Sequence, residues 1–134
     1  MIVLDTSYLV AFHNDRDVHH RSALAAMDGL VAGKWGPVLL PEYVFLEFAT
    51  VLLARRGLET ANTACDVLLR AADVEFVPCS EYFVDALAIF RGQTPARLSF
   101  ADAAVVAIAR RRGAEHVATY DADFRKVKDL HVVS

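Results

Sequence analysis

Apolar residues along the chain fall into two rhythms. Short, largely apolar runs occur at Ile2–Leu4, at 38–40 between Pro37 and Pro41, at Val74–Val77 before Pro78, and at 116–119. Val132 and Val133 make a shorter fifth. Runs of this kind, separated by helical stretches, predict buried strands of a parallel sheet.

The stretches between them repeat at helical spacing. A short helix is expected over 7–13. Over 17–32, Leu24, Met27, Leu30 and Val31 fall on one helical face. Glu42–Arg56 ends in two arginines before Gly57, which suits a helix dipole and a left-handed cap. Helices over 58–72 and 80–91 follow, and 99–112 closes on three arginines before Gly113. The order β-α-α-β-α-α-β-α-α-β-β predicts one α/β domain over residues 1–134. It has three layers, with helices on both faces of a mostly parallel sheet of four to five strands. Ligands of such sheets gather at the carboxyl ends of the strands.

Composition narrows the class. A chain of 134 residues buries enough surface to fold without disulfides or zinc. Its 55% apolar content excludes a disordered chain. The longest stretch free of charged side chains, 6–14, is far short of the ~20 residues that cross a membrane. The opening Met1-Ile2-Val3-Leu4-Asp5 lacks the basic start of a signal peptide. Cys65 and Cys79 form no CxxC pair, so reduced thiols in a cytoplasmic protein are expected. The net charge of -3 gives no hint of a nucleic-acid binder.

Five carboxylates alter that picture. Asp5 ends the first strand, where it could cap a helix, although Thr6 and Ser7 could do the same. Glu47 lies mid-helix among Tyr43, Val44, Thr50 and Val51, which is not a charged face. It is either paired, neutral or metal-bound, or it sits at a helix rim. Asp102 completes a Ser-x-x-Asp capping box with Ser99. Asp121 and Asp123 follow a strand, which suits both a turn and an oxygen-ligand site. A doubly covered sheet can bring all five to one edge, where their mutual repulsion calls for a cation. Carboxylates and water favour a hard divalent ion such as Mg²⁺.

These residues, in this order and spacing, resemble the PIN-domain nucleases, of the kind found as VapC toxins in toxin–antitoxin pairs. The resemblance rests on Val3-Leu4-Asp5-Thr6-Ser7, Glu47, Leu98-Ser99-Phe100-Ala101-Asp102-Ala103 and Thr119-Tyr120-Asp121-Ala122-Asp123-Phe124, and covers nearly the whole chain. It implies an endoribonuclease dependent on Mg²⁺ or Mn²⁺. Asp5, Glu47, Asp102 and Asp121 match the family's acidic quartet, and Asp123 matches a less constant fifth acid. Ser7, Ser99 and Thr119 match hydroxyls that support those acids. The resemblance also implies an RNA substrate, a cognate antitoxin and a homodimer. Asp5, Asp102, Asp121 and Asp123 are then the expected metal ligands, with Glu47 holding a water or orienting the nucleophile.

The remaining charges fit that reading. Arg97, Arg125 and Lys126 lie within a few residues of the acids and are candidate RNA contacts. Arg110, Arg111 and Arg112 read as a solvated helix end. His19 and His20 have no partner one turn away, so they mark a helix start rather than a zinc site. Trp35, among glycines, reads as a loop plug. Two other functions fit the same fold: a housekeeping PIN nuclease of RNA maturation, and a non-catalytic interaction module. An aspartate-nucleophile phosphatase is disfavoured, because Ser7 stands where its second Asp belongs. With the five acids set aside as a metal site, the rest of the chain is slightly basic.

Overall fold

The computed structural model describes residues 1–134. Its strands are Ile2–Leu4 (β1), Val38–Pro41 (β2), Val74–Val77 (β3), His116–Ala118 (β4) and His131–Val133 (β5). Its helices are Thr6–His13 (α1), His20–Val31 (α2), Glu42–Arg56 (α3), Leu58–Arg70 (α4), Phe83–Gly92 (α5) and Phe100–Arg112 (α6). The order is the one expected. Two short 3₁₀ turns, Ser80–Tyr82 and Ala122–Lys126, add to it.

The five strands form one sheet in the order β3-β2-β1-β4-β5, every pair parallel. β1 is central and is fully buried. Leu9 and Phe12 of α1, Met27 and Leu30 of α2, and Leu68 of α4 gather with Leu4, Val38 and Val74 around one apolar cavity. α6 is buried along most of its length, from Asp102 to Ala109, and packs on β1, β2 and α5.

The expected face of α2 is realised in part: Leu30 is buried and Met27 packs on the core. Leu24 and Val31 of α2 are 44% and 73% exposed, whereas Ala23, Ala26 and Leu30 are buried. Small residues face inward because α1 lies close: the Tyr8 hydroxyl donates to the Ala23 carbonyl at 3.0 Å. Trp35 behaves as a plug. It packs on the core beside α2, where a Cβ at Gly29 would stand 2.8 Å from its ring. Cys65 and Cys79 are both free thiols. No helix is long and apolar enough to cross a membrane.

At the end of α6, Arg110 and Arg111 are exposed, as a solvated helix end requires, and Arg112 is half-buried. Arg112 pairs with Glu75 of β3, and Arg111 stands 3.7 Å from Asp85 of α5. The Arg112 pair ties the helix end to the sheet edge.

The register fixes where chemistry gathers. Leu4 pairs with Ala118, so Asp5 and Thr119 are the next residues on adjoining strands. The Asp5 N–H donates to the Ala118 carbonyl at 3.1 Å. β1 has β2 on one side and β4 on the other, so the chain leaves it toward opposite edges of the sheet. Such a reversal opens a crevice at the carboxyl ends.

Candidate active site

The crevice is a cleft of about 320 Å³ beside the ends of β1 and β4. Asp5, Glu47, Asp102 and Asp121 all line it, with Ser7 and Ser99. Four elements thus deliver the four acids: the end of β1, the middle of α3, the first turn of α6 and the loop after β4.

Asp5 is the most constrained. It is 2% exposed, and two hydroxyls donate to the same oxygen, Oδ2: Ser7 at 2.8 Å and Thr119 at 2.6 Å. Both hydroxyls also accept a backbone N–H, Ser7 from Tyr120 at 2.9 Å and Thr119 from Asp121 at 3.0 Å. The two hydroxyls also stand 3.1 Å apart, within hydrogen-bond distance of each other. Asp5 Oδ1 is left buried with no partner, and so is the Thr6 hydroxyl beside it in the cleft. Burial raises the Asp5 carboxyl above its ordinary range, and the Thr119 and Ser7 hydrogen bonds only partly offset it.

Asp102 belongs to a complete capping box. Its N–H donates to Ser99 Oγ at 3.1 Å, and its Oδ2 accepts the Ser99 N–H at 3.0 Å. Ser99 is the cap and Asp102 its partner in the box, which uses only one of the two Asp102 carboxylate oxygens. Burial, then the charge of Asp5, raises its carboxyl to about 7 despite the Ser99 hydrogen bonds. Asp121 adds a smaller push in the same direction.

Glu47 is half-buried on the cleft wall and takes part in none of the five ion pairs. The buried face of α3 is Val44, Phe48 and Leu52. Glu47 sits beside that face and not on it, so the rim position is the one realised. Val51 and Arg55 follow it at four-residue steps into the same cleft.

Other expected residues lie elsewhere. Asp123 does not line the cleft: its Oδ1 accepts from Lys126 Nζ at 2.9 Å. Its N–H instead caps the 3₁₀ turn through Asp121 Oδ1, at 2.9 Å. The Lys126 hydrogen bond holds the Asp123 carboxyl below its ordinary range. Lys126 is thus engaged, while Arg97 and Arg125 are exposed and outside the cleft lining. Asp17, His19, Arg55 and Tyr120 line the cleft without having been singled out. For Arg55 a signal existed: the stripe 47, 51, 55 repeats every helical turn.

The donor set suits a hard cation. An unpartnered buried carboxylate oxygen, a second carboxyl raised by the first, and a third nearby are what a divalent ion would relieve. No three acids, histidines or cysteines already stand as a closed ligand set. Ligation would therefore involve water or small side-chain movements, as Mg²⁺ commonly allows.

The family model for the PIN domain matches residues 2–130. The chain belongs to the PIN domain family. Among solved structures, this PIN-domain chain is similar to VapC20 of Mycobacterium tuberculosis, described as a sarcin-ricin loop cleaving toxin. They share 27% identity over 94% of each chain, with a TM-score of 0.82. VapBC2 of Rickettsia felis, solved with a promoter DNA fragment, shares 17% identity over 98% of this chain and 97% of its own, TM-score 0.69. FitAcB of Neisseria gonorrhoeae shares 19% over 100% and 97%, TM-score 0.69. At these identities the last two likenesses concern the fold. No curated protein sequence matches the PIN-domain chain.

Proposed function

We propose that this PIN-domain chain is an endoribonuclease dependent on Mg²⁺ or Mn²⁺, the toxin of a type II toxin–antitoxin pair. Its partners are an RNA substrate and a cognate antitoxin. The observation that carries this reading is the Asp5–Asp102–Asp121 cleft with Asp5 Oδ1 buried and unpartnered. The likeness to VapC20, an RNA-cleaving toxin by its description, supports the substrate class. The two free thiols suit a reducing compartment, the cytoplasm.

Asp5, Asp102 and Asp121 would hold the ion. When bound, it lowers the pKa of the attacking water and neutralises charge on the phosphoryl oxygens. Ser7 and Thr119 fix the rotamer of Asp5 by gripping Oδ2 and leave Oδ1 without a partner. Ser99 holds Asp102 by its outer oxygen. Glu47 of α3, in the same cleft, would accept a hydrogen from the nucleophilic water and orient it.

Digestion of total RNA tests this. Wild type cuts in Mg²⁺ and stops with chelator. Asp5→Asn lowers cutting at least about a hundredfold, as expected for a ligand of the catalytic ion. Asp123→Ala, outside the cleft, stays within about threefold. Equal cutting by wild type and Asp5→Asn identifies a contaminant and removes the claim.

The homodimer is part of the same proposal. Phe76 of β3 and Phe83, Val84 and Phe90 of α5 are 42%, 46%, 75% and 41% exposed. An apolar surface of this kind favours association. Sedimentation is expected to give twice the chain mass of 14.7 kDa, and a monomer at micromolar concentration would refute it.

A further inference from the structure

One wall of the cleft carries an aromatic stack that the metal chemistry leaves unused. The His19 ring lies on the Tyr120 ring with centroids 4.2 Å apart and planes 4° apart. Beneath, Tyr120 stacks on buried Tyr8 at 6.4 Å and 19°. Tyr120 is clamped at both ends. Its N–H donates to Ser7, and its hydroxyl bonds Ser22 of α2. The Ser22 hydrogen goes to the His19 carbonyl, so the tyrosine hydroxyl is the donor. The rings are thus a rigid tier, and the uppermost, His19, is exposed. His19 occupies the N-cap of α2 but its side chain makes no cap. Its ring has no part in holding the helix.

A cation stands on the same wall. Among the residues lining the cleft, Arg55 carries the only guanidinium or ammonium group, facing five acids. Its nearest partner, Asp17, is 4.0 Å away, the outer limit of an ion pair, and the arginine side chain is 58% exposed. Asp17 also accepts the His19 backbone N–H at 2.9 Å, so one carboxylate meets both the His19 main chain and the guanidinium.

We propose that His19 on its Tyr120 support, together with Arg55, forms a nucleotide subsite beside the acids. An unpaired base lies on the imidazole and an adjoining phosphate meets the guanidinium. This rests on the nuclease reading and names the part of the substrate that the cleft grips. It requires single-stranded RNA at this point, because a base inside a helix has no free face. Stacking accepts any base, so the subsite positions the strand rather than reading its sequence.

Binding separates the two contacts. In an Asp5→Asn background, a labelled single-stranded oligoadenylate is compared by anisotropy with the same backbone lacking bases. The parent is expected to prefer the base-bearing strand about tenfold. His19→Ala should lose that preference and keep its salt dependence. Arg55→Ala should keep the preference, while the slope of log affinity against log salt falls by about 0.7. Equal binding of both strands by the parent, or an undiminished preference in His19→Ala, overturns the subsite. Circular dichroism melts confirm that each variant is folded. If the parent shows the preference but wild type cuts no RNA, the nuclease reading fails and the subsite stands. If wild type cuts RNA and no preference exists, the reverse holds.

Discussion

At neutral pH without divalent ions, Asp102→Asn is expected to melt roughly 10 °C above the wild type. With Mg²⁺ present it should cleave RNA at least about a hundredfold more slowly. Both effects come from one carboxyl. Burial, the Asp5 charge and, more weakly, Asp121 raise it to about 7 from an ordinary 3.8. Between those values the folded protein keeps a proton that the unfolded chain has released. Metal-free stability is therefore greatest on the acid side of this window and falls as pH rises through it. The loss by pH 7.5 is on the order of 4 kcal/mol. Asparagine carries no charge, yet its amide oxygen still accepts the Ser99 N–H, so the capping box survives. Melts at pH 5 and pH 7.5, with and without Mg²⁺, would show a steeper fall in wild type than in the variant, which keeps the raised Asp5 carboxyl. Mg²⁺ should restore wild-type stability at the higher pH. A flat wild-type profile would mean that Asp102 is ionised at no cost.

Thr119→Val probes the same centre from behind. The hydroxyl is fully buried, donates to Asp5 Oδ2 at 2.6 Å and accepts from the Asp121 N–H at 3.0 Å. Valine keeps the shape and removes both bonds. Leaving such partners unmet costs about 2–3 kcal/mol, read as a lower urea midpoint. Asp5 then turns more freely, and cleavage should fall about 10–100-fold, as for other groups that orient a ligand. Thr119→Ser, which restores the hydroxyl, should recover most of the rate. Full activity in the valine variant would mean that Ser7 alone positions Asp5.

The acids were legible in the sequence for a structural reason. Asp5 and Asp121 directly follow strands, and Asp102 follows a helix-opening serine, so element boundaries placed them. Glu47 was marked by its charge in an apolar helix, although the pattern did not decide between core and rim. Asp123 shows where such reasoning ends. It is two residues from Asp121, but Asp121 caps the turn and directs Asp123 toward Lys126. A tight turn separates neighbours that a linear reading groups together.

Faces set by close backbone approach were harder to read. In α2 the leucine and valine positions outweighed the alanines in the pattern, but Ala23 and Ala26 are buried while Leu24 and Val31 are exposed. His19 and Arg55 carried ordinary local explanations, a helix start and a helix end, and both were correct. That these two ends meet at one cleft is a property of tertiary packing. The interval between residues 19 and 55 gives no clue to it.

The hydrogen bond between Thr119 and Asp5 joins positions 114 apart. β1 can pair with β2 early in synthesis, but its other edge waits for β4. Until then the strand edge is open and Asp5 lacks one of its two clamps. Contacts of such long sequence separation form late and slow folding. Catalytic competence should therefore switch on only with near-complete chains. A gene truncated before His116, where β4 begins, would yield a product that is inert and, with its central strand uncovered, prone to aggregate.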